Sequence, residues 1–134
     1  ETLEYVNEAF GRTLMDKDTA DFSIQAYALT LPSEGTLAEE MKVIDPIALH
    51  KARGTAKKAL ARKFQAELLE RYNELTAIMD EDKEFKVDAD SIGRRRLRNV
   101  FLDYLCTMKD TPEEQVAAAE LAMAHFKSAT GMTD

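Results

Sequence analysis

The sequence predicts an all-α protein in which antiparallel helix hairpins stack as an α-solenoid-like array. Three observations carry that prediction. Apolar residues recur every three or four positions nearly from end to end, the spacing of a one-sided helix. Only 5 Gly and 3 Pro punctuate 134 residues, which suits long helices better than strands and turns. The connections between periodic stretches are short, and short connections make successive helices pack antiparallel. A chain of this size buries roughly two thirds of its unfolded surface, so residues 1–134 are expected to form a single helical unit.

Leu3, Val6, Phe10 and Leu14 place one apolar face on a first helix. Asp16-Lys17-Asp18 interrupts it, and a second helix runs through Phe22, Ala26 and Leu29. Leu31-Pro32 ends that helix, because the residue before a proline is pushed out of the helical region. Ser33-Glu34-Gly35 reads as a turn. Thr36 and Glu39 then form a capping-box pattern for a short helix through Leu37 and Met41.

Asp45-Pro46 is the next start, an acidic N-cap followed by proline where a missing N–H costs nothing. From there Leu49, Ala52, Ala56, Leu60, Phe64, Leu68, Tyr72, Leu75 and Met79 hold one stripe. The spacing predicts one long helix near 46–78, ~50 Å at 1.5 Å per residue. Gly54 lies inside it as a weakness of ~1 kcal/mol against Ala. "DEDKEFKVDADS", from Asp80 to Ser91, reads as an exposed acidic connection.

A further helix carries Ile92, Leu97, Val100, Phe101, Tyr104 and Met108. Thr111, Pro112 and Glu114 combine N-cap, proline and capping box at the last start. Val116, Ala119, Met123 and Phe126 form the stripe expected to be buried there. Gly131 is the expected C-cap, and Thr133 or Asp134 the cap of a further helix. Five or six helices result. Glu1 opens in mid-pattern without Met, so the chain is expected to be cut from something longer.

Net charge is -7, from 25 acidic and 18 basic residues, which repels a polyanion over most of the surface and argues against nucleic-acid partners. No stretch approaches the ~18 uninterrupted apolar residues of a membrane span, and no secretory signal is recognisable. The single Cys106 suits a reducing compartment, so a cytoplasmic location is expected, with organellar targeting of the full-length protein as the alternative.

Residues able to do chemistry are few. His50 and His125 lack metal-ligand spacing, and each is expected to be a partly exposed helix residue. Cys106 sits among apolar neighbours, where a thiol acts as a small hydrophobe. Asp80, Asp82, Glu84, Asp88 and Asp90 invite a calcium loop, but its sixth and twelfth positions hold Phe85 and Ser91 instead of Gly and Glu. Arg94, Arg95, Arg96 and Arg98, in "GRRRLRN", crowd the first turns of a helix against its dipole. Pairing with Asp80–Asp90 or with a neighbouring helix is the favoured reading of that cluster, and contact with phosphate-bearing partners the other. No catalytic, cofactor-binding or metal-binding residue is assigned.

"ALTLPSE", "IDPIALHKAR", "IGRRRLRNVFLDYL" and "MTD" occur in an order and spacing that resembles one family. It is the C-terminal helical region of aminopeptidase N, a gluzincin zinc metallopeptidase of the bacterial type also found in plants and protists. The densest blocks are Leu29–Pro32 with Asp45–Ala48, and Arg95, Leu97 and Asn99 with Tyr104-Leu105. The resemblance implies a larger C-terminal α-helical domain of which this chain is part, curved as a bowl over a separate catalytic domain and limiting substrate access. It implies a parent enzyme that removes N-terminal residues from peptides with one zinc ion. The zinc would be held by two His of H-E-x-x-H and a downstream Glu, with G-A-M-E-N gripping the substrate amine.

Neither motif is in this sequence, so the resemblance implies no cofactor and no peptidase activity for this chain by itself. The implied partners are the catalytic domain of the same polypeptide and the parent enzyme's peptide substrates, with no nucleic acid and no membrane. Arg95 and Asn99 are expected to tie adjacent helix turns together. A free-standing α-solenoid scaffold binding partner peptides or proteins is the alternative.

Overall fold

The computed structural model describes residues 2–18, 21–81 and 85–132. Seven helices and no strand occur among them: α1 Thr2–Met15, α2 Phe22–Leu29, α3 Glu34–Glu39, α4 Pro46–Lys63, α5 Gln65–Glu81, α6 Ala89–Leu105 and α7 Pro112–Ser128. The α-solenoid-like helical array expected from the periodicity is the architecture found.

Helix α6 is the centre of the assembly. It packs most extensively on α2 and α5, and also touches α4 and α7. Leu97 and Phe101 on α6 have no exposed surface, and Leu14, Leu29, Leu60, Leu68 and Tyr104 close around them. The rings of Phe10 and Phe64 lie 5.4 Å apart, and Phe10 meets Tyr104 edge-on at 5.1 Å. Helices α2 and α6 run in the same direction. Their starts approach at Phe22, Ser23 and Gly93, while the Tyr104 hydroxyl, far along α6, donates to the Leu29 carbonyl at the end of α2 (2.7 Å).

The last carbonyls of a helix have no partner within it, and side chains from elsewhere take up that role here. Buried Gln25 donates from Nε2 to the carbonyls of Thr13 and Asp16 (both 2.7 Å), stapling the end of α1 to α2. Arg53 on α4 donates to the carbonyls of Pro32 (2.7 Å) and Leu31 (3.2 Å), holding the proline break against α4. The Gln25 bonds join the end of α1 to α2 and the Arg53 bonds join the α2–α3 connection to α4, so these side chains also set how the array stacks.

Asp45 accepts from the N–H groups of Ile47 and Ala48 ahead of α4, with Pro46 in the first turn. Thr111 and Glu114 form the complete capping box of α7. The short helix α3 differs from the expectation. Its N-cap is Ser33, whose hydroxyl accepts from the Thr36 N–H (3.1 Å), so the helix begins three residues before the predicted start.

The long helix predicted near 46–78 is two helices. Phe64 ends α4 with φ -112° and ψ 25°, and α5 begins at the next residue. The stripe itself stays inward from Leu60 through Leu75, although Ala52 is exposed. The cause of the break is tertiary. The Phe64 ring presses on Phe10, and its edge sits 2.9 Å from where a Cβ on Gly11 would stand. Glycine at position 11 is what lets that ring approach α1.

Three further expectations are corrected. On α1, Phe10 and Leu14 are buried but Val6 is exposed, and the Leu3 side chain lies outside the described residues. On α7, the stripe predicted to be buried faces outward: Val116 is 56%, Met123 52% and Phe126 76% exposed, and Ala119 is exposed too. Ala118 and His125 are the buried positions instead, with Leu121 packed partly against the core. Gly131 is not a left-handed cap, because Ala129 caps α7 and no residue has positive φ among the described residues. Thr133, Asp134, Asp82 and Glu84 lie outside the described residues.

Candidate functional site

The two histidines are on different helices and do not converge. His50 is exposed near the start of α4 and contacts Glu34 through Nδ1 (2.8 Å). His125, expected to be partly exposed, is buried near the end of α7, where Nδ1 shares a hydrogen bond with the Tyr72 hydroxyl (2.9 Å). Burial pushes the Tyr72 hydroxyl above its usual pKa. Fifty-three residues separate the pair, so helical periodicity gives no sign of it.

Cys106 is half-buried at the end of α6. Its thiol donates to the Ala118 carbonyl at 3.6 Å, and burial raises its pKa, opposite to what a nucleophilic thiolate needs. Among the described residues no group of three His, Cys, Asp or Glu side chains is placed to hold a metal ion. Of the acidic run, Asp88 caps α6 by accepting from the Ser91 N–H, which holds its carboxyl below the usual range. Asp90 pairs with Arg94 at 2.5 Å.

The arginine cluster divides by helix face. Arg94 lies over the Phe22 ring (5.6 Å). Arg95 and Arg98 are buried, and the Arg95 guanidinium stacks 4.7 Å from the centre of the Phe85 ring. A desolvated cation over a ring is worth up to about 2 kcal/mol, and the aliphatic stem adds packing. Arg95→Ala is therefore expected to lower stability by about 1–3 kcal/mol, read as a fall in melting temperature. An unchanged melting temperature would show that the stack is ornamental. Arg96 is exposed and makes no ion pair among the described residues.

A second polar cluster joins the α6–α7 turn to α4. Lys58 and Arg62 contact Asp110 at 2.6 Å each, and Arg62 also meets Glu114 at 2.9 Å. These cations hold the Asp110 carboxyl below its usual range. All four side chains are solvated, so the cluster fixes geometry more than it adds stability.

A groove of about 590 Å³ runs along α6. Ile92, Arg96, Val100 and Asp103 recur at helical spacing on its floor. Phe85 and Val87 form one wall, and Thr30 at the end of α2 bounds the other side. Sequence reasoning found the arginines but not the groove, since Phe85 and Val87 belong to the connection read as simply acidic.

A helical-repeat protein is the class this fold defines. The chain matches, over residues 2–134, the family model described as "Domain of unknown function (DUF3458_C) ARM repeats", and it belongs to that family. It is 34% identical over 130 residues to aminopeptidase N of Escherichia coli (strain K12), a match that covers 97% of this chain and 14% of that protein. It is 38% identical over 127 residues to aminopeptidase N of Caulobacter vibrioides, covering 95% of the chain and 14% of the relative. The Haemophilus influenzae aminopeptidase N is 27% identical over 114 residues, 85% of the chain and 12% of the relative. The chain thus resembles a helical-repeat segment of aminopeptidase N and spans only about 14% of these curated relatives.

Proposed function

We propose that this chain is a non-catalytic helical portion of a zinc-dependent aminopeptidase N, and that it walls the chamber in which N-terminal residues are removed from peptides. The observation that carries the reading is a match along 97% of the chain to a protein of that name. The outward stripe of Val116, Met123 and Phe126 on α7 supports it. An α-solenoid repeat buries such a face only against the next repeat, so a larger helical domain is the natural setting. The donor set among the described residues does not fit a zinc site, because His50 and His125 are apart and no group of three His, Cys, Asp or Glu side chains is placed to hold a metal ion there. Zinc ligands, general base and substrate-gripping groups would come from a catalytic domain of the same polypeptide. A cytoplasmic location belongs to the same proposal. Among the described residues no helix is long and apolar enough to cross a membrane.

An antibody to this chain, used on an extract of its source, tests the proposal. The captured polypeptide is expected to be far larger than 15.1 kDa and to hydrolyse leucine-amide substrates in a chelator-sensitive way. The isolated chain should hydrolyse none, even with zinc supplied. A small, inactive captured species would replace the peptidase reading with that of a binding scaffold.

A further inference from the structure

We propose that the groove along α6 binds a short zwitterionic peptide, about three residues long, carrying an aliphatic or aromatic side chain. Its two ends carry opposite charges. Arg96 and Asp103 both line it and stand seven residues apart, two turns along one helix face, which separates them by about 10 Å at 1.5 Å per residue. An extended chain of three residues spans about the same distance at ~3.3–3.6 Å per residue. Val100 lies between the charges on the floor, Ile92 one turn before Arg96, and Phe85 and Val87 form an apolar wall, with Arg95 and Asn99 as the other polar lining of the helix. A volume of about 590 Å³ falls within the roughly 300–1,000 Å³ of small-ligand sites.

The charged groups at each end are available. Arg96 makes no ion pair among the described residues. Asp103 gives only Oδ2 to Lys57 (2.5 Å), leaving Oδ1 to accept from a ligand ammonium. A peptide carboxylate on Arg96 and a peptide ammonium near Asp103 complete both ends, and the ligand's apolar side chain covers Val87 and Val100. Asn99, one turn from each charge, also lines the groove. This site stands apart from the peptidase proposal, since it needs no zinc and no catalytic domain.

Photo-crosslinking tests it on the complete natural polypeptide. The probe is a trileucine whose central residue carries a diazirine, and mass spectrometry of the digest locates the label, so peptide held at any other site does not interfere. Label is expected on residues 85–103 and is displaced by excess plain trileucine. Arg96→Ala and Asp103→Asn change solvated side chains and leave the core intact. Each is expected to reduce labelling about tenfold, the loss of one charge-assisted hydrogen bond. On the unaltered protein, a carboxyl-amidated probe and an N-acetylated probe should each label about tenfold less. No label in the groove, or label indifferent to both end charges, overturns the proposal.

Discussion

Phe101→Ala is expected to cost about 3–5 kcal/mol, the range for removing a large aromatic side chain from a packed interior. Phe101 has no exposed surface and sits on α6, the helix that α2, α4, α5 and α7 all contact. Its loss opens a void where several helices meet, and no single neighbour can relax to fill it. In a domain of this length that loss corresponds to a fall of roughly 10–20 °C in melting temperature. Thermal unfolding followed by far-UV circular dichroism measures it. Exposed Phe126 is the contrasting site, where truncation should leave the isolated chain within about 0.5 kcal/mol. A Phe101 variant that melts with the parent would mean that α6 is not the centre of the core.

Much of the fold is legible because the signals are local. Asp45 with Pro46, and Thr111 with Glu114, announce their helices through chemistry completed within four residues. The stripe from Leu60 to Leu75 is equally plain, since one face of one helix supplies it. What the residues do not announce depends on distant partners. Phe64 is a fair helix former, and the break there comes from Phe10 and Gly11, more than fifty residues away. His125 looks like any helix histidine until Tyr72 meets it. Ser33 and Thr36 both suit an N-cap, and the sequence pattern favours the wrong one.

The α7 stripe shows a limit specific to helical arrays. A helix with neighbours on two sides needs two apolar faces, and periodicity cannot say which neighbour is at hand. Ala118 and Leu121 face the core of this chain, while Val116, Met123 and Phe126 face away from it. The groove follows the same logic. Its basic half is visible in "GRRRLRN", but its apolar wall comes from Phe85 and Val87, which a connection places opposite Val100.

Gly93→Val is expected to destabilise the chain by about 1–3 kcal/mol or more, because overfilling a tight contact forces backbone to move. A Cβ at position 93 would stand 3.0 Å from the Phe22 Cβ and 3.1 Å from the Ser23 backbone nitrogen. Neither atom can swing aside as the tip of a side chain would, so α2 must shift as a body. That shift pulls the Leu29 carbonyl from the Tyr104 hydroxyl and loosens the staple that Gln25 makes to the end of α1. Gly54→Ala separates this steric cost from helix propensity. Position 54 lies within α4 with nothing inside 4 Å of an added Cβ, so alanine there should gain up to about 1 kcal/mol. Paired thermal melts read both changes at once. Opposite signs place the constraint at the α2–α6 crossing, and a Gly93 variant as stable as the parent would show that the two helices are not held in contact there.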